Sequence, residues 1–495
     1  MSTAKEYRMH NRNDPIIAIS TAPGKGAVGI IRISGQDLNP FIALLTKKTL
    51  EDRVANFIKL KDETDQLIDE VVMIYFRGPN SYTGEDILEI QGHGGPIVLQ
   101  RIIKHCLLLS KTACTLNKKE LQALPHLRIA NPGEYSERAF LNNKIDLLQA
   151  EAISDLIDAS TELASLGASR SLSGLFSKNI KTLLEDIKQT RVFIEAHIDF
   201  PEEEIGELEL IKIKEKLISE IDISANLLAK TKNGLLLKEG INTVITGQPN
   251  AGKSSIMNVL CQQDVSIVTN IAGTTRDVVK QQMQIEGIPI NLIDTAGINL
   301  SQKNEIDLVE KIGIERAWKE VGSANLIIFV HDITKIIEKT YLKSDLEILE
   351  SIKLSMNKNS RIIHILNKSD LIETFSELKE IRVSFENEIQ NETIVVSIKD
   401  KTNLLELNKK ILEVIGWSSD NSENVSIART RHMTSIVKVK EHLEMALKLI
   451  CGKEMSLELI AEEMRLVQNA LSEITGEFSS DDLLGEIFSK FCIGK

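Results

Sequence analysis

The sequence predicts a multidomain protein with an α+β N-terminal domain, a discontinuous α-helical domain and an α/β P-loop domain inserted between the two helical halves. Three observations support this prediction. A length of 495 residues suggests about three domains. Short apolar runs alternate with helix-like stretches in the middle of the chain. Helical periodicity without such runs flanks that segment on both sides.

The composition is ordinary for a globular protein of a reducing compartment, with 42% hydrophobic and 26% charged residues. No apolar run reaches the ~18 residues of a membrane span, and the N-terminus lacks the apolar core of a signal peptide. The five cysteines form no CxxC pair, which argues against a zinc site. A net charge of −12 argues against a general nucleic-acid coat. We therefore expect a cytoplasmic protein without a membrane segment.

The N-terminal α+β domain is predicted to span residues 1–136. The runs IIAIS (16–20), VGIIRIS (28–34) and EVVMIYF (70–76) are rich in β-branched residues, and turns containing Gly and Pro separate them. Each run is therefore predicted to be a strand of one compact domain.

The helical domain is predicted in two halves, residues 137–238 and 417–495. The first half shows helical periodicity as far as FPEEE (200–204), after which a second helix continues to about Lys232. Apolar residues that fall roughly on one stripe of the first helical stretch are Ile153, Leu156, Ile157, Leu163 and Leu166. In the second half, apolar residues that follow one helix face are Leu457, Ile460, Met464, Val467, Leu471 and Ile474.

The inserted domain is predicted to span residues 239–416. Its short apolar runs are separated by helix-like stretches, a pattern that indicates βαβ units and a parallel sheet. These runs are TVITG (243–247), NLIDTAG (291–297), NLIIFVHD (325–332), IIHILNKSD (362–370) and TIVVSIK (393–399).

The segment GQPNAGKS (247–254) matches the phosphate-binding pattern G-x-x-x-x-G-K-[ST] between a predicted strand and a predicted helix. Glycines allow the backbone N–H groups to wrap phosphates, and the following helix presents its positive N-terminus. Lys253 would reach the β- and γ-phosphates, and Ser254 would offer its hydroxyl to Mg²⁺.

Three further segments indicate guanine as the base. DTAG (294–297) places Asp294 near the metal and the Gly297 N–H towards the γ-phosphate. NKSD (367–370) supplies a carboxylate that can accept from the guanine N1–H and its exocyclic amine, a donor pair that adenine lacks. SIK (397–399) follows another strand, where its backbone can contact the guanine oxygen. All four segments in this order predict a GTPase with a Ras-like G domain.

The catalytic groups of Ras-like enzymes are incomplete in this sequence. Ile298 stands where those enzymes place the Gln that orients the attacking water. No arginine finger is obvious, because Arg276 of GTTRD (273–277) is expected to partner Asp277. The hydroxyls of Thr274 and Thr275 are predicted to belong to switch I, and the water must be positioned from elsewhere.

The chain ends in FSKFCIGK, which places Cys492 three residues from the terminus. Three interpretations remain open on spacing alone: a frayed tail, a prenylation box or an arm that docks elsewhere in an active site. The prenylation box is the weakest, because Lys495 is not a usual final residue and no basic run precedes the cysteine.

These segments resemble the MnmE (TrmE) family of tRNA-modification GTPases over nearly the whole length. Besides the GTPase segments, the resemblance rests on APGKGAVGIIRISG, GPNSYTGEDILEIQGHGGP, NPGEYSERAFLNNKIDLLQAEAISDLIDAS, EKIGIERA, EITGEFSSDDLLGEIFSKF and CIGK. Relative to that family, residues 111–128 look like an insertion, which we expect to be a surface elaboration. The stretch between Gly297 and Glu310 looks longer than usual.

The resemblance implies a homodimer formed through the N-terminal domain, which binds a tetrahydrofolate derivative in the 5,10-methylene or 5-formyl form. With the flavoprotein MnmG, in a heterotetramer, such a protein adds an aminomethyl-type group to C5 of the wobble uridine of tRNA. FAD and NADH belong to that partner. The resemblance assigns Cys492 to the modification chemistry, and the folate contacts to Arg32, Glu89, Lys144 and Lys495.

The resemblance also implies K⁺-dependent GTP hydrolysis when two G domains meet. Its K⁺ ligands would be Asn250, Thr269, Ile271 and Thr274, and its Mg²⁺ ligands Ser254 and Thr275. Glu310 would position the water, and Lys253 would act on the phosphates. The full set expected to bind GTP is Asn250, Ala251, Gly252, Lys253, Ser254, Ser255, Thr269, Thr274, Thr275, Asp294, Thr295, Ala296, Gly297, Asn367, Lys368, Asp370, Ser397, Ile398 and Lys399.

Two other functions are compatible with parts of the sequence. A regulatory GTPase that binds ribosomes would explain the GTPase segments but not Cys492. A folate-dependent one-carbon enzyme would use the G domain only as a timer, and it differs from the leading hypothesis mainly in its substrate.

Overall fold

The structure is a computed structural model, and chain contacts divide it into two compact units. Unit 1 contains the described residues up to Ser154, Ser177–Glu185 and those from Gln468 on. Unit 2 contains Asp155–Phe176 and the described residues of Asp186–Val467. The described residues are 13–116, 119–199, 206–263, 280–294, 308–389, 393–417, 425–452, 456–477 and 481–494.

Unit 1 is built on a six-stranded sheet with the order β3-β4-β5-β2-β1-β8, in which the pair β1–β8 is parallel and the other neighbours are antiparallel. Strands β6 and β7 form a separate hairpin. The strands are β1 (Ile16–Ile19), β2 (Val28–Gly35), β3 (Ala55–Lys61), β4 (Leu67–Phe76), β5 (Asp86–His93), β6 (Ala113–Leu116), β7 (Lys119–Gln122) and β8 (Arg128–Ile129). The predicted α+β character of this region is confirmed.

Part of the expected surface elaboration at 111–128 is buried, so that expectation was wrong. Ala123, Leu124 and Leu127 belong to the same apolar core as Ile31 and Leu88 of the sheet. Apolar side chains stabilise the fold when they cover a sheet face. The expectation treated this segment as an exposed loop and did not consider such burial.

Unit 2 contains a second six-stranded sheet with the order β10-β11-β9-β12-β13-β14. The hairpin β10–β11 is antiparallel, and the remaining neighbours are parallel, which confirms the predicted parallel sheet. Parallel strands end at the same edge, so the segments that follow β9, β11, β12, β13 and β14 are brought together. The strands are β9 (Ile241–Thr246), β10 (Lys280–Ile285), β11 (Ile288–Asp294), β12 (Leu326–Asp332), β13 (Arg361–Asn367) and β14 (Thr393–Val395).

Helices occupy most of the remaining described chain. In chain order they are α1 (Asn39–Thr46), α2 (Pro96–Leu109), α3 (Glu134–Leu141), α4 (Leu147–Asp158), α5 (Glu162–Leu172), α6 (Leu175–Asp199), α7 (Glu207–Glu239), α8 (Lys253–Gln263), α9 (Leu308–Ser323), α10 (Lys339–Ser355), α11 (Phe375–Ile389), α12 (Leu404–Val414), α13 (Thr430–Cys451), α14 (Leu457–Thr475) and α15 (Asp481–Ser489).

The predicted single stripe after Ala150 was wrong, because the segment forms three helices. Thr161 begins α5 by accepting a hydrogen bond from the Ala164 N–H, a cap that ends the continuity with α4. Ile157 and Leu166 are consequently 49% and 46% exposed. The helix expected to end near Lys232 continues to Glu239.

The apolar face predicted near the C-terminus is confirmed, since five of its six residues, Ile460, Met464, Val467, Leu471 and Ile474, are fully buried in α14. The segment FPEEE lies outside the described residues. Among the helices that the structure describes, none is long and apolar enough to cross a membrane. The bounds of the four predicted domain segments remain predictions.

Candidate functional site

The phosphate-loop segment joins the end of β9 to the start of α8. Gly247 and Gly252 have φ values of 140° and 100°, and Asn250 has a φ of 64°. A Cβ at Gly247 would lie 2.2 Å from the Val330 carbonyl oxygen, and one at Gly252 would lie 2.1 Å from Nδ2 of Asn367. Both positions therefore require glycine for space as well as for backbone conformation.

The first residues of α8 carry the predicted phosphate-binding side chains. The Lys253 ammonium donates to the carbonyl oxygens of Gly247 and Gln248, both at 2.9 Å, and so closes the loop on itself. Ser254 and Ser255 are exposed in the first helical turn, whereas Ala251 is buried. The N–H groups of the first turn and the helix dipole make this end of α8 a favourable place for phosphate.

The predicted base-binding segment is attached directly to this loop. Nδ2 of Asn367, the last residue of β13, donates to the Ala251 carbonyl at 2.9 Å. Its Oδ1 is buried and has no hydrogen-bond partner within the described part of the chain. A buried acceptor of this kind is costly unless a further donor reaches it, which is consistent with a ligand site.

Asp370 and Ser397 bring the NKSD and SIK segments together, because the Ser397 hydroxyl donates to Asp370 Oδ1 at 2.7 Å. Lys399 lies 4.0 Å from the same carboxylate, and Ile398 packs against the main core of unit 2. Ser397 and Lys399 thus both lie beside the carboxylate of Asp370.

Lys368 adopts a left-handed conformation, and its ammonium lies 2.6 Å from Asp332 Oδ2. Burial alone would raise the pKa of Asp332, but hydrogen bonds from Lys368 and Thr334 hold that pKa below its usual range. An ionised Asp332 therefore holds the Lys368 side chain of the base-binding segment in place.

The structure describes only some of the remaining predicted GTPase residues. Asp294 is the last residue of β11, and Glu310 is the third residue of α9. Predicted residues outside the described part of the chain are Thr269, Ile271, Thr274, Thr275, Thr295, Ala296 and Gly297.

A second group of predicted residues lies in unit 1. Arg32 on β2 and Glu89 on β5 are direct cross-strand neighbours, and Arg32 Nη2 lies 2.6 Å from Glu89 Oε1. The guanidinium lies 5.9 Å from the ring centre of Tyr82 and 5.8 Å from that of Tyr135. Tyr135 is fully buried and donates its hydroxyl to the Arg32 carbonyl at 2.6 Å. Two aromatic rings thus flank a partly exposed ion pair.

Lys144 is exposed and donates to the Pro79 carbonyl at 2.9 Å. Asn142, two residues earlier, donates to the Thr83 carbonyl at 2.7 Å. Both contacts fall on the 79–84 loop, which also carries Tyr82. Lys144 and the Arg32–Glu89 pair are therefore linked through one loop.

The C-terminal residues pack against the N-terminal sheet, so a frayed tail does not describe them. Phe488 and Phe491 are buried with Leu147, the Gly133 N–H donates to the Cys492 carbonyl at 3.3 Å, and Ile493 forms a β-bridge with Pro132. Lys495 lies outside the described residues.

Gly494 lies close against the first strand of the sheet. A Cβ there would lie 2.1 Å from the Ile19 carbonyl oxygen, and Ile19 pairs with Ile31, the neighbour of Arg32. The adjacent Ser20 Oγ is buried without a partner in the portion described. Cys492 remains exposed.

Sequence reasoning missed several residues of these sites. Tyr82 and Tyr135 flank Arg32, yet they are 50 or more positions away in the sequence, and no role was predicted for them although both lie in segments that carry the family resemblance. Gln248 bonds to Asp345 of α10, a residue that the sequence presents as one acid among many on an amphipathic helix.

The parallel sheet with a phosphate loop at one strand end, tied to an NKSD segment at another, defines a P-loop nucleotide-binding domain of the GTPase class. Two family models match the chain. "MnmE helical domain" matches residues 147–492, and "GTP-binding protein TrmE N-terminus" matches residues 15–144.

Curated relatives extend over the full length. A protein from Acidovorax sp. (strain JS42), named tRNA modification GTPase MnmE, is 45% identical over 98% of this chain and 99% of its own. One of the same name from Paracidovorax citrulli is 46% identical over 97% and 99%. The chain therefore belongs to the MnmE (TrmE) family of tRNA modification GTPases.

Among solved structures, a crystal structure of an Era variant from Aquifex aeolicus bound to GDP and AlF4⁻ is 24% identical. The match covers 43% of this chain and 68% of that one, with a TM-score of 0.29. Because that score is low, the assignment rests on the sequence relatives and family models alone.

The contact of Gly494 generates a test of the docked tail. Gly494→Ala should displace the tail, because its Cβ would overlap the Ile19 carbonyl oxygen. We expect trypsin to cleave after Lys490 severalfold faster than in the wild type, as followed by intact mass. Gly24→Ala is the control, because Gly24 also has a positive φ of 130° but has no atom within 4 Å of its Cβ position. Equal cleavage rates for both variants would contradict the docking.

Proposed function

We propose that this chain is a K⁺-dependent GTPase that, with MnmG, adds an aminomethyl or carboxymethylaminomethyl group to C5 of the wobble uridine of certain tRNAs. Family membership supports the coarser statement, a GTP hydrolase that acts in tRNA modification. The observation that carries the proposal is the bond between Asn367 and the Ala251 carbonyl, since it joins the base-binding and phosphate-binding segments.

The residues that would hold GTP offer hydrogen-bond acceptors for the base and a positive charge for the phosphates. Among the described residues Asn367 Oδ1 has no donor, one oxygen of Asp370 accepts from Ser397, and the ammonium of Lys253 lies at the loop that would surround the phosphates. Asp370 would accept from the guanine N1–H and exocyclic amine. Lys253 would neutralise negative charge that develops on the phosphates during hydrolysis.

The cation ligands fit in type. The Asn250 amide and the Ser254 hydroxyl are exposed oxygen donors at the loop, of the kind that hard cations prefer. Mg²⁺ would be held by Ser254 and Thr275, and K⁺ by Asn250, Thr269, Thr274 and the Ile271 carbonyl. A bound K⁺ would supply positive charge beside the phosphates, the role of an arginine finger in other GTPases. Glu310 would orient the attacking water.

The folate proposal rests on unit 1. Arg32, Glu89, Lys144 and Lys495 would bind a tetrahydrofolate derivative, which supplies the one-carbon unit when it is bound. The partly exposed Arg32–Glu89 pair between two tyrosine rings suits a flat, polar heterocycle. Ser20 Oγ, which has no hydrogen-bond partner among the residues that the structure describes, offers a further buried polar contact. The exposed Cys492 thiol would take part in the modification chemistry.

The proposed assembly is a homodimer through the N-terminal domain, joined by MnmG in a heterotetramer, with FAD and NADH on that partner and tRNA as the substrate. The proposed G domain, residues 239–416, would pair with that of the second protomer during hydrolysis. Its insertion between 137–238 and 417–495 would transmit that pairing to the helical domain. We propose the cytoplasm as the location.

Loss of the gene tests the proposed modification. We expect wobble uridines in bulk tRNA to lack their C5 group, as measured by nucleoside mass spectrometry. Complementation with Cys492→Ser should leave GTP hydrolysis intact and reduce the modification, whereas Cys451→Ser, which alters another exposed cysteine, should restore it fully. Normal nucleosides together with a ribosome-assembly defect would instead identify a regulatory GTPase.

Exchange of the cation tests the proposed hydrolysis. GTP turnover should fall at least about tenfold when Na⁺ replaces K⁺, because a loop sized for K⁺ would hold the smaller ion poorly and charge at the phosphates would go uncompensated. Asn250→Ala should lose the response to K⁺. Asn143→Ala is the matched control, since Asn143 is also exposed with a positive φ of 54°. Equal turnover in both salts would reject the K⁺ mechanism.

A further inference from the structure

Gln248, the second residue of the phosphate loop, is tied by its side chain to α10. Its Nε2 donates to the Tyr341 carbonyl and to Asp345 Oδ1, both at 2.8 Å. The two bonds use both amide hydrogens, so the orientation of the amide is fixed. The loop is thus held at its beginning by a contact that involves no nucleotide.

Asp345 is 2% exposed, and both of its oxygens accept hydrogen bonds. Oδ1 accepts from Gln248, and Oδ2 lies 2.5 Å from His331 Nδ1 on β12. A buried carboxylate is costly unless donors surround it, so loss of either donor would leave a charge poorly compensated. The carboxylate cannot turn towards Gln248 or away from it without breaking the bond to His331.

His331 is held in turn by His364 of β13, whose Nδ1 lies 2.9 Å from His331 Nε2. Phe329 stacks on His331 at 4.5 Å between ring centres, and Phe385 meets the same ring edge-on at 4.7 Å. Burial lowers the pKa of His331, and burial together with the neighbouring His331 lowers that of His364 to about 3.

Only one arrangement of protons satisfies these contacts when both rings are neutral. His331 carries its proton on Nδ1 and donates it to Asp345, so its Nε2 must accept from the Nδ1–H of His364. The hydrogen bonds of the two histidines are therefore both donated in the direction of Asp345, which also accepts from Gln248. A chain of buried bonds then leads from β13 through β12 and α10 to the phosphate loop.

We propose that Gln248 is a positioning residue for nucleotide binding and GTP hydrolysis, held in place by Asp345 and, behind it, by His331 and His364. This inference rests on the proposed GTPase function and assigns a role to an unspecified position of the phosphate-binding pattern, supported by residues outside the four GTPase segments. Both amide hydrogens of Gln248 are used by Tyr341 and Asp345, so this amide nitrogen is not available to a phosphate or a base. Gln248 acts by fixing the loop in which Asn250 adopts a positive φ and from which Lys253 begins α8.

The simpler interpretation is a buried polar cluster that stabilises the sheet without affecting the site. The cluster would then contribute only to the free energy of unfolding. Whether the side chain at position 248 donates or accepts hydrogen bonds would not affect nucleotide affinity. Variants that keep or reverse the donor at that position distinguish the two interpretations.

Gln248→Glu keeps the size of the side chain but places acceptors against Asp345 and the Tyr341 carbonyl. We expect GDP affinity and kcat/KM for GTP to fall at least about tenfold, the size expected for loss of a charge-assisted hydrogen bond and its replacement by repulsion. Gln248→Lys keeps a donor, so its GDP affinity and kcat/KM should fall clearly less than those of Gln248→Glu. The double variant Gln248→Glu with Asp345→Asn offers a donor to the new carboxylate and should recover part of the loss.

Gln282→Glu is the matched control, because it makes the same change at an exposed glutamine of β10 that donates to Asn291 Oδ1 at 3.2 Å. Affinity is measured with a fluorescent GDP analogue on the full-length protein, turnover by phosphate release in K⁺, and folding by thermal melting. The control should match the wild type in all three measurements.

Wild-type affinity and turnover in Gln248→Glu would overturn the inference, and so would equal losses in Gln248→Lys and Gln248→Glu. A loss that follows only the melting temperature, with unchanged kcat and KM per folded molecule, would also overturn it. Failure of the wild-type protein to bind guanine nucleotide or hydrolyse GTP would instead reject the proposed function.

Discussion

The hydrogen bond from the Asn367 amide to the Ala251 carbonyl is the contact on which the nucleotide site depends. It joins the end of β13 to the phosphate loop after β9, two segments that are far apart in the chain but meet at one edge of the parallel sheet. Gly252 permits the contact, because any Cβ there would overlap the Asn367 amide. Without this bond, the base-binding and phosphate-binding groups would have no fixed separation, and selection of a particular nucleotide would weaken.

Unit 1 also depends on a contact between segments that are distant in the sequence, because the C-terminal tail packs against N-terminal residues. The tail is attached by backbone contacts to Pro132, Gly133 and Ile19, and these need small residues or free carbonyl groups rather than particular side chains. The Cys492 thiol remains exposed in this attached tail. Both proposed sites therefore use segments that are distant in sequence, and in each a glycine permits a close approach.

The GTPase segments were predictable because each is a short pattern whose residues have a known type of contact with phosphate or base, and all occur in the expected order. The parallel sheet followed from apolar runs, and the buried face of α14 followed from its spacing. The tie from Gln248 to Asp345 was not predictable, because the two residues are 97 positions apart and neither stands out locally. His331 and His364 gave a local signal, because each is a polar ring within the apolar run of its strand, β12 or β13. The break at Thr161 was missed because a side-chain cap overrode continuous helical periodicity.

The central claim, that these segments form one guanine-specific site, is tested most directly by exchanging the base. Xanthine replaces the exocyclic amine of guanine with a carbonyl, to which an Asp370→Asn amide could donate, while the Asn oxygen retains the Ser397 bond. GDP and XDP affinities should therefore invert between wild type and Asp370→Asn, each preference being at least about a hundredfold. A wild-type protein that binds both nucleotides equally, or a variant that still prefers GDP, would contradict the account.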